Sequence, residues 1–337
     1  MVLAAVLAAV AAAATGDRAT VVRVGPGELH RCAAAARRAE LGAAAGGGLG
    51  SAAIPRTRCE LLPGRYRESV EYAGPAPLEI VGAGPGQTVL DGSERVVQVS
   101  WQRAALPHVP NASAIFKATL PPALRRKGVQ QAFVDGAWIS EARFPNTDLR
   151  KVFKKTSWAD CGKGSEHGYC KDRPDAWSRL PRNVDWTGAL ATMLLGTHYA
   201  VWTRTVTKHG PGWFRYVGCL GPGPGSAGAA GPGQSYFLSG KLGALDAPGE
   251  WFIDESNWTV YVWTPDSSPP ADRFSIRVRD FCVDVAQSAT VLRNLSMHAC
   301  TFRVRNCTGC HLSDLNITYP SYHREVHLRD PTPFKGG

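Results

Sequence analysis

The chain has 337 residues, of which 44% are hydrophobic and 20% charged, with a formal net charge of +10. That composition supports a packed core and excludes global disorder, and 36 Gly with 24 Pro favour many turns and short strands over long helices. Of the basic residues 28 are Arg and 10 are Lys, scattered apart from the runs at 125–127 and 151–155. This balance fits attraction to an acidic polysaccharide, and equally a bias toward Ala, Gly, Pro and Arg across the whole chain.

In chain order, residues 2–14 are an apolar run followed by small residues and a first charge at Asp17. The run is too short to span a bilayer comfortably and exits like a secretory signal, so residues 1–16 are expected to be a signal peptide. No later stretch approaches 18 uninterrupted apolar residues, which predicts no membrane span after cleavage. Five sequons, at Asn111, Asn257, Asn294, Asn306 and Asn316, and nine cysteines both suit an oxidising, extracellular setting. Export in turn excludes nucleic acid as the partner. Nine cysteines leave at least one that cannot pair within the chain.

Residues 28–45 carry apolar side chains at helical spacing and run into Gly46-Gly47-Gly48, which predicts one helix with a glycine stop. Strands are expected at 58–62, 66–72, 78–81 and 88–90, separated by the turns at 63–64, 74–77, 82–86 and 91–92. Short apolar strands at this spacing fit a sandwich, a barrel or a β-helix. The rhythm breaks over 101–280, which holds all the Trp beyond Trp101 and a Gly/Pro-rich loop at 218–233. Strand-like pieces at 131–134, 199–205, 251–254 and 260–264 make this region a β-rich insertion.

The last third decides among the architectures. Residues 290–301 align with 310–321, so that Leu292, Leu295 and Met297 match Leu312, Leu315 and Ile317 at a spacing of 20. A repeat of that length with strand-like alternation and no helix predicts stacked passes of a parallel solenoid. With Leu295, Met297, Leu315 and Ile317 inward, alternation sends Asn294, Ser296 and His298 outward, and Asp314, Asn316 and Thr318 outward on the next pass. The expected organisation is a signal peptide (1–16), an N-terminal cap with the first solenoid turns (17–100), the β-rich insertion (101–280) and further solenoid passes (281–337).

The string LLPGRYRESVEY with LEIVGAGPGQTVLDGSE resembles the first turn of right-handed parallel β-helix proteins of the pectin-lyase-like superfamily. The helix at 28–45 resembles the N-terminal cap of that fold. QAFVDGAWISEARFPN (131–146), LGALDAPGEWFIDESNWTVYVWTPD (242–266) and VLRNLSMHACTF (291–302) are similar to a branch of right-handed parallel β-helix repeat proteins that includes glycoside hydrolases and lyases. The resemblance covers most of residues 28–320. It implies an all-β chain in the right-handed parallel β-helix class, with an N-terminal cap helix and a β-rich insertion, acting on extracellular polysaccharide. Members of the family continue for more turns, so the resemblance implies a chain cut short of the complete β-helix, with the family's usual catalytic carboxylates on later turns.

The candidate chemistry follows from the outward faces. His298 and Asp314 on adjacent passes are candidates for general acid and base, or for ligands of a hard cation, against the plain alternative of a solvated, glycan-bearing face. The turn after the last pass, with Tyr322, His323, Arg324 and Glu325, is the leading candidate for a catalytic loop. Trp138, Trp202, Trp213 and Trp251 are candidates for stacking on sugar rings, or fillers of the insertion core. Cys307-Thr-Gly-Cys310-His311 matches the c-type haem motif, but a β repeat and an overlapping sequon favour structural disulfides among Cys300, Cys307 and Cys310. Cys161 and Cys170 bracket a polar loop that reads as disulfide-closed, and Cys32 with Cys59 could staple the helix to the first strand. No metal site or cofactor is read from the residues; Ca2+ enters only if the activity is that of a lyase. The functional expectation is a secreted polysaccharide lyase or glycoside hydrolase, with a non-catalytic extracellular glycan-binding or scaffold protein as the alternative.

Overall fold

The computed structural model of the protein describes residues 19–45, 54–104, 106, 109, 112–129, 131–148, 150–173, 179–195, 200–216, 233–286 and 289–320. The expected signal peptide, Asn111, Cys219 and the turn at 321–325 lie outside the described residues. The chain is predominantly β and divides into two compact units, one running to Glu94 and resuming at Arg277, the other spanning Arg95–Ile276.

The first unit opens with β1 (Thr20–Val24), α1 (His30–Ala45), β2 (Thr57–Leu61), β3 (Gly64–Tyr66), β4 (Val70–Ala73), β5 (Leu78–Val81), β6 (Thr88–Asp91) and β7 (Ser93–Arg95). The stretch expected as one strand over 66–72 is interrupted, and its two ends belong to β3 and β4. The second unit contributes β8 (Gln102–Arg103), β9 (Phe116–Thr119), β10 (Ala132–Val134), β11 (Ala137–Glu141), β12 (Arg143–Phe144), β13 (Ala159–Asp160) and β14 (Tyr169–Lys171). It continues with β15 (Leu190–Leu195), β16 (Ala200–Gly210), β17 (Trp213–Tyr216), β18 (Ser235–Ser239), β19 (Glu250–Asp254), β20 (Thr259–Trp263) and β21 (Phe274–Arg277). The first unit resumes with β22 (Phe281–Ala286), β23 (Val291–His298), β24 (Thr301–Arg305) and β25 (His311–Thr318).

Every strand pair recorded within the first unit is parallel. One ladder runs β1-β2-β5-β23-β25, a second runs β3-β6-β23, and a third runs β4-β22-β24. Parallel pairing in register puts like side chains over like. Val22, Cys59, Ile80, Leu292 and Leu312 form one column, and Tyr66, Leu90, Met297 and Ile317 another. The matches of Leu292, Leu295 and Met297 with Leu312, Leu315 and Ile317 are pairs of β23 and β25. Cys59, Ile80, Leu90, Leu292, Leu295 and Met297 are wholly buried in one core with Val283 and Val285. Helix α1 buries Cys32, Ala33, Ala35 and Ala36, and the Cys32–Cys59 disulfide ties it to β2.

Bends repeat with the strands. Ala289, Asn294 and Ala299 take positive φ values of 58°, 57° and 55°, and 20 residues later Gly309, Asp314 and Tyr319 do the same. The left-handed bend at Asn294 resets the alternation, which is why Leu292 and Leu295, three apart, both face the core. Gly82 and Gly92 are glycines because these bends press on them. A Cβ at Gly82 would stand 2.2 Å from the Asn294 carbonyl oxygen, and one at Gly92 2.3 Å from that of Ala299.

In the second unit, one sheet contains the order β21-β10-β11-β19-β20-β9-β8, antiparallel except for the β11–β19 pair. The other runs β12-β18-β15-β16-β17-β14, with β13 also on β18, and is antiparallel throughout. Trp186, Phe214, Tyr236, Leu238 and Met193 fill a core of their own.

The columns predict unequal penalties. Leu292→Ala, in a fully buried site, lowers the unfolding free energy by about 2–5 kcal/mol, whereas Leu312→Ala, 43% exposed, costs no more than about 1 kcal/mol. Chemical denaturation of the two variants measures the difference.

Candidate functional site

One cluster of polar residues of the first unit lies along the β3-β6-β23 ladder. Leu90 pairs with Tyr66 and Met297, all inward, so the next residue on each strand faces outward: Asp91 on β6 beside His298 on β23, with Arg67 just past β3. His298 is in turn opposite Thr318 of β25. Asp91 nevertheless has no exposed surface, because donors cover it. Its Oδ1 accepts from the Ser93 N–H (2.9 Å), the Ser93 hydroxyl (2.8 Å) and His298 Nδ1 (3.1 Å). Its Oδ2 accepts from Arg65 Nη1 at 2.8 Å and pairs with Arg67 Nη2 at 3.2 Å.

Burial alone would raise the Asp91 carboxyl, but hydrogen bonds from His298, Ser93 and Arg65 outweigh it and hold the group well below the ordinary carboxylate range. An ionised carboxylate only accepts, so Nδ1 of His298 carries its proton and a neutral ring keeps its acceptor at Nε2. The ring is further fixed by an edge-on contact with Tyr319, centroids 5.6 Å apart. The arrangement is an oriented imidazole beside two guanidinium groups. It can bind and orient a polar or anionic group. Asp91 itself, ionised and saturated with donors, cannot act as an acid.

The sequence-derived sites fare differently. His298, expected on a solvated face, is only 8% exposed, and Ser296 is 7% exposed; neighbouring passes cover both, so that expectation is corrected. Asp314 does not join His298, since it occupies the left-handed bend following Ser313 of β25. Tyr322, His323, Arg324 and Glu325 lie outside the described residues. Trp251 is 1% exposed and donates its indole N–H to the Ile139 carbonyl at 3.2 Å, which makes it a core residue and not a sugar platform. Trp138, Trp202 and Trp213 are half-buried on β11, β16 and β17. Asn257, Asn306 and Asn316 are exposed and Asn294 is half-buried in its bend. Disulfides join Cys161 to Cys170, Cys282 to Cys300, and Cys307 to Cys310. Cys300 therefore pairs with Cys282 on β22, a partner absent from the expected set.

Arg65, Arg67 and Asp91 were not among the expected site residues. The available signal was an Asp one position after an inward Leu at a strand end, followed by Gly-Ser. A second missed feature lies in the second unit, where Glu250 at the start of β19 is 1% exposed. Its Oε2 accepts the Asp246 and Ala247 N–H groups at 3.2 and 3.3 Å. Burial and the nearby Asp246 push its carboxyl well above the usual range. Asp246, bonded to Asn146 Nδ2 at 2.8 Å, is also raised by burial. Among the described residues no cluster of three or more His, Cys, Asp or Glu is placed to hold a metal ion, so these side chains do not fit a Ca2+ site. None of the described helices is long and apolar enough to cross a membrane.

No family model matches the chain, and a search of curated proteins finds no match. Among solved structures the chain is similar to one described as a glycoside hydrolase, with a TM-score of 0.55 and 15% identity over 84% of this chain and 51% of that one. This chain thus spans about half the length of that structure, and the likeness shows a shared fold. A structure described as XylC with xylose aligns at a TM-score of 0.31 and 13% identity, over 73% of this chain and 31% of that one. That value carries no argument.

Two predictions follow from the carboxyls, with opposite signs. The Asp91 pKa is lowered on folding, so its stabilisation is present above its unfolded value near 3.8 and is lost as pH falls toward the folded value. Asp91→Asn, which strands two arginines, destabilises by about 3–5 kcal/mol at neutral pH, with the gap to wild type closing in acid. The Glu250 pKa is raised on folding, so stability is full below about 4.5 and declines as pH rises toward the folded value. Glu250→Gln removes that decline. Unfolding followed from pH 3 to 8 reads both.

Proposed function

We propose that this chain is a secreted, carbohydrate-active protein whose first unit is a right-handed parallel β-helix of the pectin-lyase-like kind, and that Arg65 and Arg67, held in place by the buried Asp91 beside His298, lie along its glycan-binding face. The observation that carries the reading is the parallel ladder β1-β2-β5-β23-β25 with its columns in register, since stacked passes of one chain are the arrangement that makes such columns. The fold shared with a glycoside hydrolase over 84% of the chain supports it.

Within that reading the described residues supply binding and orientation. Hydrolysis of a glycosidic bond uses two carboxyl groups, one able to give a proton, and Asp91 is held ionised by its donors. On the enzyme reading, Tyr322, His323, Arg324 and Glu325 are the candidate catalytic residues of this chain. The second reading, a glycan-binding scaffold without catalysis, is favoured by that same saturation of Asp91. Export with cleavage near residue 16 and glycans at the exposed Asn257, Asn306 and Asn316 complete the proposal.

The test is a panel of immobilised polysaccharides probed with the secreted chain, alongside product analysis for reducing ends and unsaturated sugars. We expect binding to at least one polysaccharide, weakened about tenfold or more by Arg65→Gln with the fold intact. Released products would decide for the enzyme reading, and a chain that binds nothing on the panel sinks the proposal.

A further inference from the structure

The motif Cys307-Thr-Gly-Cys310 plays no part in the site described above, and its disulfide differs from the other three in exposure and in span. Cys32, Cys59, Cys161, Cys170, Cys282 and Cys300 are each 0–1% exposed, and their disulfides join positions 27, 9 and 18 residues apart. Cys307 is exposed and Cys310 half-buried, and they stand 3 residues apart. A disulfide steadies a fold chiefly by closing a loop in the unfolded chain, and more so as the loop lengthens. So small a loop contributes little to stability, while an exposed sulfur is open to attack by a thiolate.

The preceding pass shows that the turn does not need the bridge. Gly309, in the turn between β24 and β25, has φ 73°, and Ala289, 20 residues earlier, has φ 58°. The two turns lie one on the other: the Ala289 N–H donates to the Thr308 carbonyl at 3.0 Å, and the His311 N–H to the Thr290 carbonyl at 2.9 Å. Thr290 stands where the next pass has Cys310, and no cysteine occurs between Cys282 and Cys300. The earlier pass therefore makes the same left-handed bend with no cystine across it. Past the turn, β25 is held by its parallel pairing with β23, from Val291–His311 to His298–Thr318. Backbone hydrogen bonds keep this corner in place whether or not the two sulfurs are joined.

We propose that Cys307–Cys310 is a redox-active disulfide that exchanges with low-molecular-weight thiols, and that Cys307 is the sulfur attacked. A thiolate attacks Cys307 Sγ, the S–S bond breaks, and Cys310 leaves as a thiolate that takes a proton from water. A second thiolate attacks the small-thiol sulfur of this mixed disulfide, and Cys307 leaves in the same way. In sum, two thiols are oxidised to one disulfide and the cystine is reduced to two cysteine thiols, a transfer of two electrons. Exposure sets the direction of attack, since Cys307 is open to solvent and Cys310 is partly covered. The sequon at Asn306 would place a glycan beside the attacked sulfur, which a small thiol passes more readily than a protein does.

The experiment is a titration of the full chain with reduced glutathione, its free thiols alkylated beforehand, followed by acid quenching, a second alkylation and peptide mass analysis. We expect the Cys307–Cys310 pair to open at glutathione concentrations about tenfold or more below those that open any of the other three disulfides. The mixed disulfide caught by quenching should carry glutathione on Cys307 in about tenfold or greater excess over Cys310. A double variant, Cys307→Ser with Cys310→Ser, should melt within about 2 °C of wild type. Opening of the pair together with or after the others overturns the proposal, as does glutathione found equally on both sulfurs. A larger fall in the melting temperature of the double variant overturns it too, by making the bridge structural. Polysaccharide binding enters none of these readouts, so failure here leaves the carbohydrate reading standing.

Discussion

The first unit depends on one constraint: its parallel strands must stay in register so that each inward side chain is covered by the one on the next pass. Ile80 is shielded by Cys59 and Leu292, and Leu90 by Tyr66 and Met297. No strand of three to eight residues could bury its apolar side chain alone, and burying one such side chain gains about 1.5–3 kcal/mol. Slipping one strand by a single residue would turn its apolar side chains to water and drive its charged ones into the core. The bends enforce the register, because Gly82 and Gly92 admit the Asn294 and Ala299 carbonyls only at one position along the stack.

The same register arranges the charges. Arg23 pairs with Glu60, Arg58 and Arg293 with Glu79, and Arg303 and Arg305 with Asp284, each across adjacent strands. Most of these pairs are partly exposed, so their contribution is small and screened by salt. Asp91 differs because it is buried under five donors. An acidic side chain so fully neutralised is a device for holding His298 and two arginines in place, and the site is best understood as an oriented set of donors.

Much of this was legible in residues 290–321, because two consecutive passes with no insertion preserve their spacing. A pattern of period two gives the faces of Leu295, Ser296, Met297 and His298 but not what covers Ser296 and His298, and the left-handed bend at Asn294 is invisible to it. The earlier strands share no constant period with β23 and β25, because the second unit is inserted in the chain between β6 and β22. For the same reason the Asp91–His298 contact, 207 residues apart, and the pairing of Cys282 with Cys300 left no local trace. In the second unit the Gly-Glu-Trp string reads as the start of a strand, and so it is, but nothing in a strand pattern says that the Glu side chain turns inward and is held above the usual carboxylate range. Trp251 shows the converse error, since an aromatic ring beside polar neighbours in sequence can still be interior.

The interruption between β6 and β22 has a consequence for how the protein is made. Glu94 and Arg279 are ion-paired although 185 residues separate them. As an open chain, a loop of that length carries an entropic penalty that grows with the logarithm of its length, and it slows closure. A ribosome releases β1 to β6 long before β22 to β25, so the early strands wait with their apolar edges uncovered. If the intervening 182-residue unit condenses first, the effective loop shrinks to the span between its two ends. Chaperone dependence and synthesis rate should then bear most heavily on the interval between emergence of β6 and emergence of β23.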